Sequence, residues 1–74
     1  MLGERIKELR ESQDLKQDDI CKLLNINQST LSHWELNRRK PDIDQLIRLA
    51  DIFKVSLDYL TGRMSFTNKN TGNK

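Results

Sequence analysis

Apolar residues recur along this chain in short groups at helical spacing, separated by polar turns. Leu2, Ile6 and Leu9 follow an i, i+4, i+7 pattern, which predicts an amphipathic helix over about residues 2–12. Glu4, Lys7, Glu8 and Arg10 line its wet side, and Arg10 sits at the edge of the buried stripe, within reach of a partner acid. Leu15 plugs the corner after Ser12-Gln13-Asp14. Ile20, Cys21, Leu23 and Leu24 predict a second helix from about 17 to 24, and Leu31 and Trp34 a third from about 28 to 36. The fourth group is the broadest: Ile43, Leu46, Ile47, Leu49, Ala50 and Phe53 form a wide apolar face that makes this helix the main hydrophobic mass. Leu57 and Leu60 anchor a short last helix.

The residues between these groups mark starts and stops. Asn27, Asp42 and Ser56 each precede a helical pattern with a side-chain oxygen able to accept from the first turn, and Gln45 stands three residues after Asp42. Gly62 ends the last helix. Asn25-Ile26-Asn27 makes a tight turn, because Asn accepts the left-handed conformation that such a turn needs. Lys16 occupies a cap position without an acceptor, at a cost of about 1 kcal/mol that Asp18 and Asp19 partly offset through the helix dipole. Beyond Gly62, RMSFTNKNTGNK is polar except for Met64 and Phe66. The pattern therefore divides the chain into a domain over 1–62 and a tail over 63–74, read as disordered or as the start of a linker.

Composition narrows the class. With 74 residues and 8.7 kDa, there is room for one small domain and no large pocket. No apolar run approaches the roughly 20 residues of a membrane span. Charge begins at Glu4, so no secretory signal is expected. The single cysteine excludes an internal disulfide and points to the cytoplasm, with Cys21 a small buried apolar residue. Net charge is +2, and three of the 13 basic residues, Arg63, Lys69 and Lys74, lie in the acid-free tail. The domain itself is near neutral, so affinity for a polyanion has to come from local placement, with Arg38-Arg39-Lys40 as its clearest source. Catalytic chemistry finds no support: no Ser/His/acid set, glycine-rich phosphate loop or pocketed carboxylate pair occurs. His33 has no second ligand at metal spacing, and no metal or cofactor is expected.

The stretch from Gln17 to Glu35 organises the rest. Its second helix turns Gln28, Ser29, Thr30, Ser32 and His33 outward, all able to hydrogen-bond and none acidic. Two helices around a tight turn, the second with a polar uncharged face, is how a helix-turn-helix reads DNA. Arg5-Ile6-Lys7-Glu8-Leu9-Arg10, Leu15-Lys16-Gln17, Leu24-Asn25-Ile26, Gln28-Ser29-Thr30-Leu31-Ser32, Trp34-Glu35, Lys40-Pro41-Asp42 and Leu57-Asp58-Tyr59-Leu60 each land on an expected helix start, turn or apolar face. Through these residues, in this order and spacing, the chain resembles the phage repressor/Cro-type, or XRE-type, helix-turn-helix family over about residues 2–63.

The resemblance implies an all-α, five-helix, lambda-repressor-like DNA-binding domain whose helix at about 28–36 enters the major groove. Gln28 and Ser29, with Thr30, Ser32 and His33, become the base-contacting set; a glutamine amide suits the N6/N7 edge of adenine. Thr30 either offers its methyl to a thymine or serves as a local partner of Asn27. Lys16, Gln17, Asn27, Asn37, Arg38, Arg39 and Lys40 become phosphate contacts, which set register and affinity rather than sequence. Arg10 and Glu35 resemble a structural ion pair tying the first helix to the end of the third. The family often has glycine where Asn25 and Asn37 stand, and a small polar cap where Lys16 stands.

The expected function is a sequence-specific double-stranded DNA-binding regulator, a repressor, acting as a dimer on a palindromic operator. Leu57, Asp58, Tyr59 and Thr61, with Met64 or Phe66, form the expected dimer surface. So little apolar surface there implies a homodimer that is weak without DNA. The rival expectation is a protein-interaction module of the same fold, an antitoxin or anti-regulator. The retained basic loop and the polar third helix favour DNA.

Overall fold

The computed structural model describes residues 2–62, so the segment 63–74 read as a tail, with Met64 and Phe66, lies outside the described residues. The fold is all-α, with α1 (Leu2–Ser12), α2 (Gln17–Leu24), α3 (Gln28–Glu35), α4 (Ile43–Phe53) and α5 (Leu57–Thr61) in chain order. No strand occurs among the described residues. The third helix ends one residue earlier than its spacing predicts, with Leu36 as its C-cap.

Each cap has a distinct acceptor. Asn27 Oδ1 accepts from the Thr30 amide at 3.3 Å, Asp42 Oδ1 from Gln45 at 2.9 Å and Ser56 Oγ from Tyr59 at 3.0 Å. At α2 the lysine ammonium has no acceptor to offer. Instead the Asp19 carboxylate reaches back and accepts from the Lys16 backbone N–H at 2.9 Å, which is half of a capping box. Asp19 thus acts through a hydrogen bond as well as through the dipole.

α1 packs on α3 and α5, α2 on α3, and α4 on α5. Between them lie Ile6, Ile20, Leu24, Leu31, Trp34, Leu49, Phe53 and Leu60, all buried, together with Cys21 and Ala50. Two expectations of burial need correction. Ile43 and Ile47 are 58% and 46% exposed, because five short helices cover only one side of the broad α4 stripe. Leu23 is likewise turned outward at the end of α2.

Among the described residues, four other than glycine adopt left-handed backbone: Asp14, Asn25, Asn37 and Lys54. Asn25 closes α2, donating its N–H to Cys21 O, and Lys54 closes α4 in the same way. The Gln13 amide adds a long-range tie, donating to Phe53 O at 2.8 Å across the α1–α4 corner.

Candidate nucleic-acid interface

α3 is held from beneath by Leu31, Trp34 and Glu35, all buried, so its remaining positions face outward. Gln28 and Ser29 are exposed; Thr30, Ser32 and His33 are half-buried along its flanks. The Asn27 carboxamide oxygen collects the Thr30 hydroxyl at 2.7 Å and the Ser29 hydroxyl at 3.1 Å, besides the Thr30 amide. Thr30 therefore serves as the local partner of Asn27, and its hydroxyl is committed to the cap.

Glu35 is the one buried charged residue among the described residues. Arg10 Nε donates to its Oε2 at 2.7 Å and Nη2 to its Oε1 at 3.3 Å, while Nη1 donates to Leu15 O at 2.9 Å. The carboxylate holds the Arg10 guanidinium above its ordinary pKa. The network continues outward. Gln17 Nε2 donates to Glu35 Oε1 at 3.0 Å, and Gln28 Nε2 donates to Gln17 Oε1 at 3.0 Å. A continuous chain of polar contacts thus runs from the buried ion pair to the first exposed residue of α3.

Cationic residues flank α3 on both sides. Lys16 and Gln17 share a shallow groove with Gln28 on one side; Arg39 and Lys40 share another with Thr30 and His33 on the other. The basic loop hangs from the end of α3, with the Arg38 and Arg39 amides donating to His33 O at 2.9 and 3.3 Å. No ion pair among the described residues engages Arg38, Arg39 or Lys40, and all three are exposed.

Asn37 is placed differently from its basic neighbours. Its left-handed backbone turns its amide back onto the start of α1, where Oδ1 accepts from the Gly3 N–H at 2.8 Å and Nδ2 donates to Glu4 at 2.9 Å. That hydrogen bond holds the Glu4 carboxyl below its ordinary pKa. Both ends of the Asn37 side chain are spent inside the domain. On α5, Asp58 and Tyr59 are exposed while Leu57 and Thr61 are half-buried. The Arg5 guanidinium lies over the Tyr59 ring, 5.0 Å from its centroid, and the Thr61 hydroxyl donates to Leu57 O.

Sequence reasoning missed the Gln17–Gln28 contact, the Asp19 reach-back and the Gly3–Asn37 closure. The last two had a signal: an acid three residues after a cap position is spaced to reach back to the cap N–H, and a glycine in the first turn of a helix asks what lies too close for a Cβ. Among the described residues no group of side chains could hold a metal ion, and no helix is long and apolar enough to cross a membrane.

The Helix-turn-helix family model matches residues 6–60. The HTH-type transcriptional regulator ImmR of Bacillus subtilis (strain 168) is 39% identical over 69 residues, covering 93% of this chain and 54% of that protein. Repressor protein C2 of Salmonella phage P22 is 30% identical over 69 residues, covering 92% of this chain and 32% of that protein. The crystal structure of the P22 c2 repressor in complex with a synthetic operator superposes with a TM-score of 0.75 at 28% identity, over 81% of this chain and 91% of that one. The chain spans about half the length of ImmR, 54%. With the family model matched over residues 6–60 and the five-helix fold shared with an operator-bound repressor, this chain belongs to the helix-turn-helix family of XRE-type transcriptional regulators.

Proposed function

We propose that this chain binds double-stranded DNA sequence-specifically, as a repressor that sits as a homodimer on a palindromic operator with α3 in the major groove. The observation that carries the reading is the pairing of an exposed, acid-free first turn of α3 with unpaired cations on both flanks. Gln28 and Ser29 meet base edges; Ser32 and His33 follow one turn on, and Thr30 contributes its methyl because its hydroxyl is held by Asn27. Lys16, the Gln17 backbone N–H, Arg38, Arg39 and Lys40 meet phosphates, aided by the positive end of α2. Asn27 and Asn37 shape the turns that aim these groups. An operator-bound repressor of the same fold supports the groove assignment.

One α3 reads too few base pairs for useful specificity, so two copies bind half-sites about one helical turn apart. Leu57, Asp58, Tyr59 and Thr61 form the surface between them, and it associates weakly until DNA brings it together. The site of action is the cytoplasm. Selection from a random duplex pool tests the reading: a palindromic motif should emerge, and sedimentation with that duplex should show two protomers per site. Binding that is weak, motif-free and purely salt-driven contradicts it, and a protein partner for the outer face of α3 then becomes the better account.

A further inference from the structure

We propose that this chain takes up a proton as it binds DNA, with His33 charged in the complex and bridging the Gln45 side-chain carbonyl to an acceptor on the duplex. The inference rests on the DNA-binding function proposed above and adds a regulation to it: affinity rises as pH falls.

Gln45 is half-buried, yet its Oε1 is sealed from solvent, and among the described residues it is the one buried side-chain polar atom without a hydrogen-bond partner. A buried acceptor of this kind needs a donor. His33, the single histidine of the chain, lines the same groove, half-buried on the flank of α3. The other donors there are less suited. The Thr30 hydroxyl is spent on Asn27, the Trp34 indole is fixed in the core out of reach, and Arg39 and Lys40 are exposed. The chemistry of imidazole then sets the proton count. A neutral ring has one N–H and an imidazolium has two. Neutral His33 can serve Gln45 or the DNA; charged His33 serves both, one N–H turned into the groove and one outward. The charges in the groove act in the same direction. Arg39 and Lys40 oppose a further positive charge, Asp42 favours it, and no charged residue of α1, α2 or α4 lines the groove among the described residues. Phosphates of a bound duplex offset the two cations, so the complex holds the proton more tightly than the free chain does. Histidine is the side chain that exchanges its proton near neutral pH, which places the linkage in an accessible range.

The test follows affinity for the selected duplex against pH, alongside NMR titration of the His33 ring in the free and DNA-bound protein. The ring should titrate at higher pH with DNA bound, and affinity should rise on the order of tenfold from about pH 8 to about pH 5.5. His33→Gln keeps a donor but cannot titrate, so its affinity, whatever its level, should vary less than about twofold over that range. Gln45→Met removes the acceptor and leaves the imidazole and the charges in place; its pH dependence should shrink to within about threefold. Equal linkage on a non-operator duplex makes the DNA acceptor a phosphate, and linkage confined to the operator makes it a base edge; either upholds the proposal. A ring titration that DNA leaves unmoved overturns it, as when Gln45 turns its NH2 to a neutral imidazole. A shift equally large in Gln45→Met overturns the bridge, because charge alone then accounts for it. Dependence on pH retained in His33→Gln gives the proton to another group and overturns it too. Each of these results leaves operator binding standing. If the wild type selects no motif at any pH, operator binding fails and the linkage falls with it.

Discussion

Asn37 Oδ1 accepts the backbone N–H of Gly3 at 2.8 Å, joining residues 34 positions apart and closing the end of α3 onto the start of α1. The approach is so close that a Cβ on Gly3 would lie 2.5 Å from Trp34 O and 2.6 Å from Glu35 O, both backbone atoms with little room to yield. Gly3→Ala should therefore force α1 away from α3 and cost about 1–3 kcal/mol by overpacking. Gly62 is the control: its left-handed backbone costs an alanine about 1 kcal/mol, but the nearest atom is Arg5 Nη2 at 3.8 Å. Urea denaturation should rank Gly3→Ala as the more damaging change; equal or reversed effects would show that the closure is not tight in solution.

Burial decides which ion pair matters. The Arg10 and Glu35 side chains are 11% and 5% exposed, against 77% and 68% for Lys22 and Asp18. Arg10→Ala strands the Glu35 carboxylate and should cost about 3–5 kcal/mol, enough to unfold much of a small domain. Asp18→Asn should change stability by at most about 0.5 kcal/mol. Replacing both members, as Arg10→Met with Glu35→Leu, should restore most of the loss. Denaturant midpoints of the three variants check the ranking.

Lys16 sets stability against affinity. Its backbone already has the extended cap geometry, and Asp19 already accepts from its N–H, so only the side-chain acceptor is missing. Lys16→Ser should complete the box and stabilise the domain by about 1 kcal/mol. If the ammonium meets a phosphate, the same change should weaken DNA binding and reduce the salt slope by about 0.9. Melting curves and salt titrations separate the two effects.

Burial raises the Cys21 thiol above its ordinary pKa, with the charges of Asp18 and Glu35 adding to it. A raised folded-state pKa contributes stability that is fully present below the ordinary thiol value and lost as pH rises through the folded value. Stability should fall at alkaline pH, and Cys21→Ala should remove that part of the slope. Thiol reagents should modify native Cys21 only as fast as the domain opens; rapid labelling of the folded protein would contradict its burial.

The helices were legible because their signals are local. Asn27, Asp42, Ser56 and Gly62 act on residues within one turn, and each does so in the fold. The outward side of α3 was legible for the same reason, since Leu31 and Trp34 fix which side is buried. What could not be read depends on distant partners. The amide of Asn37 is drawn to Gly3, and that of Gln13 to Phe53 O, by contacts no spacing encodes. Ile43 and Ile47 look like core in the pattern, and only the number of helices available to cover them shows otherwise. Lys54 closes α4 in a left-handed turn with nothing in its side chain to announce it.

The measurement that tests the central claim most directly is a position-by-position comparison of Gln28→Ala and Arg38→Ala with the wild type on the selected duplex. Gln28→Ala should lose about 1–3 kcal/mol of discrimination at one position per half-site and keep its salt dependence. Arg38→Ala should weaken every sequence alike and lower the salt slope by about 1. If Gln28→Ala instead weakens all sequences uniformly, or changes none of them, α3 does not read bases through its first turn and the account fails.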